Sequence, residues 1–177
     1  RRNTDACMNI FIEGPRWAGM WTEIITTCLQ QLGHRVEYLH HNVRLPADRV
    51  FLAGRSWLHG EDRGTAWARR FRQHLLERMR GREWQVLLSI QGKVDAATVQ
   101  QLRQDSPGLR VIYWWGDILS DPALARIQTA AGCADRILVS SAGSHARLAT
   151  MYGDRVVYFP FGVAPAFHCI DTPTARQ

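Results

Sequence analysis

Met8 to Glu13 (MNIFIE) is a near-continuous apolar run that stops at Gly14-Pro15, the pattern of a short strand buried on both faces. Trp21, Ile24, Ile25, Cys28, Leu29 and Leu32 then recur at helical spacing, and Gly33 stands at the stop position. Arg35 to His40 (RVEYLH) follows as a second strand. Strand, helix and strand with short joints predict a right-handed βαβ unit.

Periodicity fails from His41 to Gly64, which reads mostly as loop, with Arg49 to Leu52 as a weak edge strand. Between Gly64 and Gly81 it returns. Trp67, Phe71, Leu75 and Met79 stand four apart, with Arg69, Arg70, Arg72, Arg78 and Arg80 mainly on the other faces, predicting a basic amphipathic helix.

The remainder alternates. Trp84 to Ile90 reads as a strand, Asp95 as the cap of a helix through Arg103, and Leu109 to Trp114 as a strand after the Pro107-Gly108 turn. Asp121-Pro122 offers an N-cap and a proline at the first position of a helix to about Ala131. Arg136 to Ser140 is a strand, Ser144 to Tyr152 a helix closed by Gly153, and Arg155 to Phe159 the final strand. Six or seven apolar strands alternating with helices predict a doubly wound, Rossmann-like α/β domain, its parallel sheet covered on both faces.

Length and composition fit one such domain. The 177 residues are 46% hydrophobic and 21% charged, enough for a single sizeable core. Residues 1–7 read as a tail or expression remnant, 8–168 as the domain, and 169–177 as the start of a linker or tail. With no run of about 18 apolar residues and no leader pattern, the expected location is cytoplasmic. Cys7, Cys28, Cys133 and Cys169 are too scattered for a zinc site, so no metal is expected, and Cys28 and Cys133 read as buried thiols.

The net charge is +6, and Lys93 is the only lysine. Arginine grips phosphate and carboxylate through a planar fork, which keeps anionic partners open. The basic helix reads first as a solvated face, next as a surface for anionic lipid at the inner membrane face, and last as a nucleic-acid contact, because no aromatic interleaving accompanies the charge.

In such folds ligands sit beyond the carboxyl ends of the strands. The first turn holds Glu13, Gly14, Pro15, Arg16 and Trp17, where glycine lets backbone approach a ligand ahead of a helix N-terminus and Arg16 favours an anion. Gly14-Pro15 reads equally as a plain tight turn. The spacing is that of neither a dinucleotide fingerprint nor a P-loop, and His40, His41 and Asn42 replace the acid that a dinucleotide site wants after the second strand. Gln91 follows the third strand. Trp114, Trp115 and Asp117 follow as two aromatics on which sugars stack and a carboxylate able to orient or deprotonate a hydroxyl. The competing readings are a core role for Trp114 and a turn cap for Asp117. Ser141 reads as an anion-friendly turn or, more conservatively, as a helix cap. His40 and His41 point to opposite faces of a strand, so they read as strand-end residues and not as metal ligands.

Four segments, NIFIEGPRWAGMWTEII, VIYWWGDIL, ADRILVSSAGSHARLATMYG and VVYFPFGVAPAFH, together resemble the N-terminal domain of a GT-B glycosyltransferase in the style of the spore-maturation CgeB-like group. The resemblance implies a two-domain transferase whose N-terminal half shapes the acceptor site. By position it gives Asp117 the catalytic or orienting role, turns Gly14, Arg16 and Trp17 toward the donor phosphates or acceptor and matches Gly162 to the glycine-valine turn; the strand-end residues Glu13, Gln91, Trp114, Trp115 and Ser141 complete the expected substrate-binding set. No tightly bound cofactor is implied, the nucleotide-sugar donor being a co-substrate held mostly by a donor-binding C-terminal domain or separate subunit. Its acceptor would be a sugar, a lipid-linked species or a protein. Ala164 departs from the aspartate that many relatives carry after the glycine-valine turn, and the short polar remainder after Phe167 implies that this half alone does not turn over. The other reading is a stand-alone, non-catalytic αβα module that binds an anionic ligand or a protein partner.

Overall fold

The structure, a computed structural model, describes residues 7–16, 21–42, 46–91, 94–116, 124, 127–128 and 131–160. In chain order these form β1 (Asn9–Gly14), α1 (Trp21–Gln31), β2 (Arg35–His40), α2 (Pro46–His59), α3 (Arg63–Met79), β3 (Val86–Ile90), α4 (Ala96–Asp105), β4 (Arg110–Trp115), β5 (Arg136–Val139), α5 (Ala142–Tyr152) and β6 (Val156–Tyr158). All six strands pair in parallel, in the order β2-β1-β3-β4-β5-β6. This is the doubly wound, Rossmann-like architecture that the strand and helix alternation predicts.

Side-chain alternation divides the core between the two faces. Phe11, Leu87 and Val111 pack with Leu75 and Met79 of α3 and Val99 and Leu102 of α4. Farther along the same face, Tyr113, Trp115, Ile137 and Val139 pack with Leu148 of α5 and with Ile127 and Ala131. The opposite face, Ile10, Ile12, Ile90 and Trp114, meets Ile25 and Leu29 of α1. One handedness of crossover accounts for the division, because the chain steps to one side of β1 once, through α1, and to the other side in every later step.

Helix starts follow from their caps. Asp62 accepts the Gly64 and Thr65 amides at 2.9 and 3.0 Å ahead of α3, and Asp95 accepts the Thr98 amide at 2.7 Å ahead of α4. The Asp62 carboxyl is held below its ordinary range chiefly by the Thr65 hydroxyl.

Several expectations are corrected. Residues 46–59, read as loop with a weak edge strand at Arg49 to Leu52, are the helix α2, which packs against α3. β3 begins at Val86; Trp84 packs edge-on against Phe11 at 5.2 Å and donates from Nε1 to the Met79 carbonyl at 3.0 Å. Cys28 is exposed, because its side chain falls on the outer flank of α1. The Cys133 thiol is partly covered, and burial pushes it up.

Candidate functional site

Strand order reverses at β1, with β2 on one side and β3 on the other, which makes the carboxyl ends of β1 and β3 the place where a fold of this kind binds ligands. Beneath it lies a buried polar cluster. Glu13, fully buried, accepts a 2.6 Å hydrogen bond from the Ser89 hydroxyl and a short contact from His41 Nδ1. Glu13 and Ser89 are direct partners in the β1–β3 register, and His41 follows the last residue of β2, so one carboxylate joins three strand ends. His41 is also fixed through its backbone: its amide donates to the Gly14 carbonyl at 3.1 Å, and its carbonyl accepts from Trp67 Nε1 of α3 at 2.9 Å. A buried carboxylate needs such donors to be tolerated.

Gly14 has no room for a side chain. A Cβ there would stand 2.5 Å from Thr22 Oγ1 and 3.2 Å from Ile90 Cβ, so glycine is what lets α1 close on the sheet. The Thr22 hydroxyl donates to the Pro15 carbonyl at 3.1 Å, fastening the turn to the start of α1. Asn42 clasps the next residue from both sides: Arg16 N–H donates to Asn42 Oδ1 at 2.6 Å, and Asn42 Nδ2 donates to the Arg16 carbonyl at 3.0 Å. The backbone of Arg16 is thus held while its side chain stays 63% exposed, with Nε only 4.0 Å from Glu23 Oε1. At such distance and exposure the ion pair is weak, leaving the guanidinium available to an anion.

His40 sits beside this turn, paired in register with Gly14 and ring to ring with Tyr38 at 4.9 Å. Its Nδ1 is buried with no well-formed hydrogen bond among the described residues, and burial holds its imidazole below the ordinary 6.5 against the opposing pull of the Gly14 backbone. Across the crevice, Gln91 adopts a left-handed backbone, φ 56°, and its amide donates to the Trp114 carbonyl at 2.8 Å.

The structure brings Glu13, Gly14, Arg16 and Gln91 to the same strand ends but gives them different parts. Gly14, Arg16 and Gln91 form the rim. Glu13 is fully buried, and its carboxylate is engaged internally by Ser89 and His41 beneath the rim. Trp114 and Trp115, as successive strand residues, face opposite ways, and Trp114 takes the core place that was its competing reading. Trp114 lies in the α1-side core, donates from Nε1 to Ser140 Oγ at 3.1 Å and meets Phe159 edge-on at 5.4 Å, whereas Trp115 lies in the core under α5. Ser141 caps α5, accepting the Ser144 amide at 3.4 Å. Asp117, Trp17 and Gly162 lie outside the described residues.

Among the described residues no group of three or more His, Cys, Asp or Glu is arranged to hold a metal ion, and no helix is long and apolar enough to cross a membrane. A cavity of about 720 Å³ lined by Asn9, His34, Arg35, Glu37, Arg82 and Trp84 opens at the opposite, amino-terminal end of the sheet. The candidate site is placed at the carboxyl ends because crossover turns and helix N-termini converge there.

Residue patterns alone missed Ser89 and placed His41 and Asn42 at a strand end without the contacts they make. The signal was present as one polar residue at or just after the end of each of three apolar strands, Glu13, Ser89 and His41. No family model and no curated protein matches the chain.

Proposed function

We propose that this domain is the acceptor-side half of a GT-B glycosyltransferase, which moves a sugar from a nucleotide-sugar donor to an acceptor in a cleft completed by a donor-binding domain or subunit. The observation that carries the reading is the apolar rim at the carboxyl end of the edge strand β6, where Val157, Tyr158 and Phe159 are 39%, 47% and 46% exposed. Contiguous exposed apolar residues at a sheet edge favour a surface that closes against another domain. Phe159 links that rim to the sheet end through its contact with Trp114. Arg16, backbone-clamped and side-chain-exposed, suits the phosphates of a donor or of a phosphorylated acceptor. Asp117 keeps its proposed role as the group that orients or deprotonates the acceptor hydroxyl.

Arg16 also favours the second reading, an anion-binding αβα module without chemistry. A thermal-shift screen against nucleotide sugars, sugar phosphates and NAD separates the two, since a ligand of the native state raises the midpoint. Stabilisation by a nucleotide sugar or acceptor sugar, lost in Arg16→Gln, supports the transferase reading. Stabilisation by NAD with no response to any sugar compound rejects it, and a response to simple phosphates alone favours the module.

A further inference from the structure

The helix α2 is amphipathic in the inverse sense. Pro46, Val50, Ala53 and Trp57 recur at steps of four, three and four, so they form one stripe, and all four are exposed, Val50 at 74% and Trp57 at 85%. Leu58, 66% exposed, borders the stripe. The inward side carries buried charge beside one apolar residue, Leu52: Asp48, 1% exposed, is gripped by Arg70 Nε at 3.1 Å and His74 Nε2 at 3.4 Å of α3, and Arg55 Nε contacts Glu61 Oε2 at 2.8 Å. Single exposed apolar residues need no explanation, but a full apolar stripe facing solvent does.

Two exposed arginines border the stripe. Arg49 and Arg63 are exposed, form no ion pair among the described residues, and flank a depression of about 590 Å³ lined also by Asn42, Leu52 and Ala53. The nearest acids are already occupied, Glu61 by Arg55 and Arg69 and Asp62 by the cap of α3. A convex helix of 14 residues, about 21 Å long, with an apolar ridge, an exposed indole and uncompensated guanidinia has the chemistry of an interfacial membrane contact.

We propose that the outward face of α2 is a peripheral docking surface for an anionic phospholipid bilayer, with Val50 and Trp57 entering the headgroup boundary and Arg49 and Arg63 on the lipid phosphates. The sequence pattern points to the neighbouring basic helix for this role, but α3 spends its apolar stripe in the core, where Phe71, Leu75 and Met79 are buried. The α2 assignment does not depend on the transferase reading.

Co-sedimentation with phosphatidylcholine vesicles and with equimolar phosphatidylcholine–phosphatidylglycerol vesicles tests it. The chain is expected to pellet with the anionic vesicles only and to be released by salt. Arg49→Gln/Arg63→Gln is expected to weaken binding about 30-fold, from the charge effect at a membrane surface. Val50→Ser/Trp57→Ser is expected to weaken it by more than about tenfold, from lost apolar insertion. Both pairs are exposed, so unchanged far-ultraviolet circular dichroism and an unchanged melting midpoint should accompany the loss. Equal binding to both vesicle types, or binding indifferent to both double variants, overturns the proposal. Self-association abolished by Val50→Ser/Trp57→Ser, with no vesicle binding, overturns it in favour of a protein interface.

Discussion

The hydroxyl of Ser89 donates a 2.6 Å hydrogen bond to Oε2 of Glu13, the residue beside it in the parallel register, while His41 holds the other carboxylate oxygen. The ends of β1, β2 and β3 are therefore joined by one buried acid. Glu13→Ala removes the shared acceptor and leaves two buried donors unmatched, and is expected to cost about 3–5 kcal/mol. Ser89→Ala removes one donor only and should cost about 1–3 kcal/mol. Urea unfolding midpoints at unchanged slope read both losses. Midpoints equal to wild type would show that the cluster contributes nothing to the fold.

Gly14 and Gly108 make a matched pair of alanine substitutions. At Gly14 the new methyl collides with Thr22 Oγ1 and Ile90, so Gly14→Ala should destabilise by about 1–3 kcal/mol through overpacking. Gly108 has nothing within 4 Å of the added atom, and Gly108→Ala should stay within about 0.5 kcal/mol of wild type. Thermal melts of the two proteins decide the matter, and similar midpoints would refute the close approach of α1.

His40 sets a direction for the response to pH. Burial holds its folded-state value below 6.5, so the unfolded chain takes up the proton more readily. Stability should therefore fall as pH drops through 6.5 and level off below the folded-state value. His40→Gln removes this contribution and should flatten the slope relative to wild type over the same range. Parallel slopes for the two proteins would dismiss it.

Asp48 decides how firmly α2 is seated. Asp48→Ala leaves Arg70 and His74 without the acid they face, at a cost of about 2–3 kcal/mol, below the fully buried case because Arg70 reaches solvent. Limited proteolysis should then cut within residues 46–59 faster than elsewhere. A cleavage pattern identical to wild type would count against Asp48 as the fastening point.

The fold was legible wherever a strand or helix turned its apolar residues toward the core. Ile10, Phe11 and Ile12 are all buried, as a near-continuous apolar strand covered on both faces should be, and Ile25 and Leu29 mark the buried side of α1, so the βαβ start and the parallel sheet follow from spacing. The segment 46–59 was not legible, because its core-facing positions include Asp48 and its outward positions include Val50 and Trp57, the reverse of what an amphipathic pattern reports. At the site, the turn of Gly14 and Arg16 could be found from its place after an apolar strand, whereas Asn42 and Ser89 could not. Their partners are 26 and 76 residues distant, and only the pairing of β1 with β2 and β3 brings them together.

The two-sided grip of Asn42 on Arg16 ties the turn after β1 to the turn after β2. Only residues 43–45 separate Asn42 from the head of α2. The Arg16 backbone therefore cannot shift without breaking two hydrogen bonds to the residue that ends the neighbouring strand's turn.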